Sequence, residues 1–279
     1  MNRQQRRAQE RAQKKQNRGG TELEVEIMQP WSDILMRVKL PDEIVEGMLD
    51  ITDQVLQDPD RKNWGDNLAG QIADEPLIPH QMMMDYKISN DGTIFHFLMN
   101  IVGEYIKTHT FQQATLTDHD KVRNIQWLTQ MKSCWIISQW EGEYNPIHIH
   151  TECQMSTVMY LKVPEFLPST KPERDDDGNI MFIGGAGNPS QLTRNLLKVK
   201  PVVGDFFIFP AHLQHTVYPF KTDGDFERRS VSFNADFINK QVLEERQKQE
   251  QEYQRQMQQQ QTPPPIQGAP EKLTINTEA

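Results

Sequence analysis

Long apolar runs are missing from this chain of 279 residues. No stretch approaches the ~18 consecutive apolar residues that a membrane-spanning helix requires, so no bilayer span and no membrane partner are expected. Cysteine is scarce. Two residues, Cys134 and Cys153, cannot build a disulfide framework, and buried free thiols are the expected state. Apolar content is also low, at 36% with a mean hydropathy of −0.72, which points to a normal core diluted by polar tails. The opening residues, Met1-Asn2-Arg3-Gln4-Gln5-Arg6-Arg7, lead into no apolar segment. No secretory signal is therefore expected, and the cytoplasm is the default location. An excess of positive charge is lacking too: the net charge of −9 argues against a dedicated nucleic-acid binder.

What is present is unevenly placed. Residues 1–20 carry most of the basic charge of the N-terminal region and end in Gly-Gly, which reads as a solvated, disordered arm. Residues 22–28 and 34–40 alternate enough to be strands. Pro41-Asp42-Glu43 opens a helix to about Leu56, with Ile44, Met48, Ile51 and Val55 at helical spacing. Residues 64–75 predict a short helix, and a longer one runs from Asp91 to about Thr110. Met82-Met83-Met84 reads as gap-filling core. After residue 132 strand-like runs follow one another, at 134–140, 147–150, 155–163, 180–183, 205–209, 215–220 and 229–237, with Pro, Gly and Asp between them. Helices first and many short strands second predict a mainly β jelly-roll core buttressed by helices. The expected division is a basic arm at 1–20, one globular domain at 21–240 and a Gln/Pro-rich tail at 241–279; within the domain, 21–132 is helix-rich support and 133–240 the β core.

Two histidines one residue apart, His148 and His150, project to the same side of an extended segment. Neutral imidazole is the commonest protein metal ligand, so this is half a metal site. Downstream, Gly204-Asp205-Phe206-Phe207-Ile208-Phe209-Pro210 ends a strand, and His215 stands at the start of the next. A jelly roll brings such distant positions to one mouth. Further on, Arg228, Ser230 and Ser232 share one strand face while Arg229, Val231 and Phe233 share the other. An inward guanidinium with a hydroxyl beside it is a carboxylate clamp. At this point either Arg228 or Arg229 can be the inward residue.

The series His-x-His, Ser156-Thr157-Val158-Met159-Tyr160-Leu161, Gly-Asp-Phe-Phe-Ile-Phe-Pro…His and Arg-x-Ser-Val-Ser-Phe-Asn resembles the Fe(II)/2-oxoglutarate-dependent oxygenases. Within them it is most similar to the prolyl 4-hydroxylase-like family common in tailed phages. The resemblance covers residues 133–237. A weaker match at Trp64-Gly65-Asp66-Asn67-Leu68-Ala69-Gly70 extends it toward the N-terminus. It implies a double-stranded β-helix, with Fe(II) held by His148 and His215, and Arg228 with Ser230 holding 2-oxoglutarate. It also implies an O2-dependent oxidation, by default a hydroxylation, in the host cytoplasm if the gene is a phage's. The family pattern is His-x-Asp/Glu…His, so His150 stands where a carboxylate belongs. The third ligand is then His150, or Glu152 if the strand continues on the same face. A cupin-type metal protein that does not use 2-oxoglutarate, or an inactive jelly-roll interaction module, are the alternatives. The substrate, whether peptidyl, nucleic-acid or small-molecule, and the oligomeric state are left open.

Overall fold

The structure is a computed structural model that describes residues 33–89, 92–114, 118–184 and 195–261. The arm at 1–20, the strand expected at 22–28 and the end of the tail lie outside them. The described residues form one compact unit within Asp33–Ala279.

The chain starts with strand β1 (Met36–Lys39) and helix α1 (Asp42–Gln57). Pro41 precedes the helix with extended backbone, and Asp42 and Glu43 occupy its first turn, where the helix dipole favours negative charge. One stripe of α1 is buried: Ile44, Met48, Ile51 and Val55. Helices α2 (His80–Asp85), α3 (Ile94–Gln113) and α4 (His119–Arg123) follow. Thr93 caps α3, its hydroxyl accepting from the His96 N–H, and Leu98, Val102, Tyr105 and Ile106 bury its inner face. Neither α2 nor α4 is read from the sequence. In α2, Met83 is fully buried while Met84 points to solvent.

Eight further strands come next: β2 (Trp127–Gln139), β3 (Asn145–His148), β4 (Met155–Lys162), β5 (Ile180–Ile183), β6 (Leu196–Val199), β7 (Asp205–Pro210), β8 (Gln214–Val217) and β9 (Arg228–Asn239). They form two antiparallel sheets, ordered β1-β7-β4-β9-β2 and β3-β8-β5-β6. This is the double-stranded β-helix, a jelly roll with its helices against one sheet. Period-two alternation sorts the larger sheet's side chains between two cores. Met159 and Leu161 of β4, Phe206 and Ile208 of β7, and Val231 and Phe233 of β9 pack with α1 and α3. Their neighbours Val158, Tyr160, Phe207 and Phe209 face Ile180, Phe182, Leu213 and Val217, which belong to or adjoin the smaller sheet. Helix α5 (Lys240–Gln261) continues from β9 and, apart from the half-buried Leu243, is exposed along its described side chains.

The helix expected over residues 64–75 is not there. One 3-10 turn, Gly65–Asn67, is followed by an extended segment whose Asp74 and Leu77 bridge Ser138 and Trp135 of β2. Two glycines lower the local helix propensity, and the open edge of β2 offers hydrogen bonds that a helix would forgo. The N–H groups of Ile136 and Ser138 donate to the carbonyls of Pro76 and Asp74, at 2.9 and 3.2 Å. No described helix is long and apolar enough to cross a membrane. Both cysteines are free, Cys134 buried and Cys153 half-buried.

Candidate metal centre and anion clamp

His148 ends β3 and His215 lies in β8, directly opposite it in the antiparallel ladder. The register shifts by one residue between the Asn145–Val217 and His148–His215 pairs. That extra residue in β3 re-aims the strand at its end, the usual effect of a bulge. His150 follows in the turn, its N–H donating to the Ala211 carbonyl at 2.9 Å. One ring nitrogen from each histidine lies within 4.8 Å of the others. The Nε2 atoms of His150 and His215 are 3.3 Å apart.

Protonation and orientation favour open lone pairs at the centre. His148 Nδ1 is 2.7 Å from the Pro146 carbonyl and His215 Nδ1 is 2.9 Å from the Leu213 carbonyl. A carbonyl can only accept, so both Nδ1 atoms carry the proton and both Nε2 atoms present lone pairs. Burial pulls the pKa of His215 down to about 3; burial, with the neighbouring His215 and His148, takes His150 to about 2. His148 is lowered by burial as well. Three neutral imidazoles packed this closely have few hydrogens to exchange among themselves. At metal–nitrogen distances of about 2.0–2.1 Å, two ligands on one ion stand roughly 3.0–3.4 Å apart, and the His150–His215 spacing fits.

Glu152 is placed differently from the sequence expectation. The strand stops at His148, and Glu152 sits in the following turn, exposed and with φ of 58°. It borders the cavity but is not in the three-histidine cluster. His212, three residues before His215, faces Asp33, with its Nε2 2.8 Å from the carboxylate.

A cavity of about 500 Å³ runs from the histidines into the barrel, where Arg228, Ser230, Ser232 and Asn234 form one wall. Arg228 and Arg229 part company as strand alternation requires. Arg229 leaves the cavity and joins Glu227, Asp53 and Thr52, with its Nε 2.7 Å from Glu227 Oε1. Arg228 is 1% exposed and has no carboxylate partner among the described residues. Its Nη1 donates to the Gly178 carbonyl at 2.8 Å and its Nη2 to Gln139 Oε1, while its Nε–H is buried without a partner. The Tyr160 and Phe220 rings stand 6.0 and 5.2 Å from the guanidinium carbon. Burial lowers its pKa to about 10. A desolvated cation with an idle donor beside a cavity has the chemistry to receive an anion.

Gln139, Tyr160 and Glu75 are cavity residues that sequence reasoning passed over. A polar Ser138-Gln139 pair closing the apolar run Cys134–Ile137 was the available signal. Trp135 lines the cavity, whereas Trp140 and Tyr144 do not.

With this geometry in view, residues 133–234 match the model of a protein family described as "Putative 2OG-Fe(II) oxygenase". The match is to the Fe(II)/2-oxoglutarate oxygenases. It runs from within β2 to the middle of β9, and so includes every histidine of the cluster and Arg228. Among solved structures, the chain is similar to a prolyl hydroxylase from Trichoplax adhaerens in complex with a hypoxia inducible factor peptide fragment. That pair shares 13% identity, covers 72% of this chain and 83% of the other, and has a TM-score of 0.45. It is also similar to a Pseudomonas putida prolyl-4-hydroxylase, at 13% identity, 72% and 91% coverage and a TM-score of 0.40. A 2OG-Fe(II) oxygenase family oxidoreductase from Burkholderia pseudomallei shares 12% identity, with 72% and 85% coverage and a TM-score of 0.40. No curated protein matches the sequence.

Proposed function

We propose that this protein is a non-haem Fe(II) dioxygenase that couples 2-oxoglutarate decarboxylation to oxidation, by default hydroxylation, of a second substrate. His148, His150 and His215 would hold the iron, and Arg228 with Ser230 the distal carboxylate of 2-oxoglutarate. The observation that carries this reading is the buried Arg228, unpaired and facing the cavity that holds the three Nε2 atoms. A metal site alone fits many chemistries; a metal site with a cationic anchor inside the same barrel fits a chelating keto acid that ends in a carboxylate.

When bound, iron with 2-oxoglutarate and O2 would supply the oxidant, one oxygen atom going to the succinate formed with CO2 and the other to the substrate. The chain's own residues prepare that chemistry. The Pro146 and Leu213 carbonyls hold His148 and His215 in the tautomer that leaves Nε2 free. Gln139 and the Gly178 carbonyl fix the guanidinium plane, leaving Nε–H to meet a carboxylate. Trp135, Tyr160 and Phe209 line the cavity with rings that exclude bulk water.

The third imidazole favours one rival, a cupin-type protein that binds metal without 2-oxoglutarate. One experiment separates them. Fe(II) and 2-oxoglutarate are added to the protein without oxygen and the visible spectrum is recorded, then air is admitted and succinate assayed. A metal-to-ligand charge-transfer band followed by succinate is the expected result. Metal binding with neither band nor succinate refutes the oxygenase reading and leaves the cupin one.

A further inference from the structure

The same cavity has a second polar feature that neither the metal centre nor the anion clamp uses. Glu75 lies in the extended segment beside β2. The bridges Asp74–Ser138 and Leu77–Trp135 share one register, which sets Glu75 opposite Ile137. Ile137 in turn is paired with Ser230. Glu75, Ile137 and Ser230 therefore form one row across three strands on the cavity side. At about 4.8 Å per strand, Glu75 stands roughly 10 Å from the Ser230 backbone.

Glu75 is 1% exposed, and its Oε2 is buried without a hydrogen-bond partner. It lines the cavity beside Trp64, Asn67, Leu68 and Ala69. Asn145 is its neighbour across Gly70. A Cβ built on Gly70 would lie 2.7 Å from Asn145 Oδ1 and 3.1 Å from both Glu75 carboxyl oxygens. Glycine at 70 thus lets two acceptors crowd one spot of the wall. The nearby Glu143 adds negative charge, and its two oxygens already accept from the Ala73 and Trp140 N–H groups, at 2.9 and 2.8 Å. Neither Glu75 nor Glu143 makes an ion pair among the described residues. Burial first, and the Glu143 charge second, raise the Glu75 pKa to about 7, so the carboxyl is held in a state that a positive charge would relieve.

We propose that Glu75 and Asn145 Oδ1 form a subsite for a positively charged group, an ammonium or guanidinium, carried by the substrate. The cavity is then bipolar: Arg228 receives an anion deep in the barrel and Glu75 receives a cation on the wall beside the mouth. Asn145 is three residues before His148 in β3, which places the charged group roughly 10 Å along the strand from the metal centre. Calling the ligand a substrate rests on the oxygenase reading; the cation site itself does not.

The test uses full-length protein labelled with 13C at the glutamate carboxyls, at pH 8, titrated with n-butylammonium or n-butylguanidinium and, separately, with n-butanol. The Glu75 signal is the one lost in Glu75→Gln. The cations should shift it saturably, n-butanol should not, and cation affinity should fall at least tenfold in Glu75→Gln when read from the ligand's own signals. A drift that follows ionic strength alone, an equal response to n-butanol, or unchanged affinity in Glu75→Gln would overturn the proposal. Should Glu75→Gln not fold, Asn145→Leu replaces it for the affinity comparison, and the one carboxyl signal with a pKa near 7 identifies Glu75 in the unsubstituted protein. Each sample is also given Fe(II) and 2-oxoglutarate without oxygen. A charge-transfer band without cation binding refutes the subsite alone, whereas cation binding without a band refutes the oxygenase reading alone.

Discussion

Replacing Arg228 by Met should leave the ligand-free protein about as stable as before while removing its response to 2-oxoglutarate. Burial lowers the Arg228 pKa from 12.5 to about 10, which at ~1.4 kcal/mol per unit disfavours the folded, charged guanidinium by about 3 kcal/mol. The penalty applies at every pH below about 10, because the folded pKa lies under the unfolded one. Against it stand the hydrogen bonds to Gly178 and Gln139 and the two ring contacts; charged hydrogen bonds contribute about 1.5–3 kcal/mol each and cation–π contacts about 0.5–2. Methionine retains much of the apolar stem and removes the buried charge, so the opposing contributions nearly cancel. The anion loses its partner outright. Truncating one side of a buried charge pair costs about 2–5 kcal/mol, and about 3 kcal/mol is more than a hundredfold in affinity. Thermal denaturation with Zn(II) in place of iron reads both quantities. At a hundred times its dissociation constant a ligand stabilises by about 2.7 kcal/mol, which is roughly 5–10 °C for a protein of this size. Arg228→Met should show about one degree at the same concentration. A ligand shift like that of the unsubstituted protein would show that the carboxylate is held elsewhere. A ligand-free loss above about 3 kcal/mol would mean that the guanidinium is chiefly a structural strut.

Arg229→Met should behave in the opposite way: urea denaturation should show a loss of about 3 kcal/mol, because the buried Glu227 loses both guanidinium hydrogen bonds and keeps Lys162, at 3.3 Å, as its cation, while the folded protein keeps its 2-oxoglutarate shift. Gly178→Ala should be destabilised by at least ~1–2 kcal/mol, since φ is +70° and the new methyl would strike the Phe166 ring. It should also weaken 2-oxoglutarate binding, which titration of the charge-transfer band would measure, because the Gly178 carbonyl anchors Arg228. Glu75 imposes a pH dependence on stability. Its folded pKa of about 7 exceeds the ordinary 4.5, so its neutral form favours the fold below about pH 4.5 and that contribution fades as pH rises through 7. Unfolding at pH 5 and pH 8 should reveal a decline of up to about 3 kcal/mol that Glu75→Gln lacks; parallel profiles would show that the carboxyl is not held protonated by burial.

Much of this arrangement was legible because strand alternation is a strict rule. It separated Arg228, Ser230 and Ser232 from Arg229, Val231 and Phe233, and the choice between the two arginines followed once the core lay on the Val231 side. The helices α1 and α3 announced themselves through wide apolar faces. Residues 64–78 did not, because their conformation answers to the β2 edge, a partner about sixty residues away, and not to their own propensities. Glu75 was hidden for the same reason: nothing local marks a carboxyl whose burial comes from another strand. Glu152 was misplaced by the assumption that β3 runs on, when the chain turns after His148.

The end of β3 makes the candidate metal centre a matter of counting. Ile147 and Ile149, which flank His148, are 59% and 46% exposed, so the two faces of this segment are an aliphatic exterior and an imidazole interior. Parity decides which is which. Inserting a single residue between His148 and His150 would keep every side chain implicated in chemistry and still turn His150 to the isoleucine side. Transplanting this site to another barrel therefore means copying an interval as well as three histidines, and chains with the same residues at a different interval need not share its chemistry.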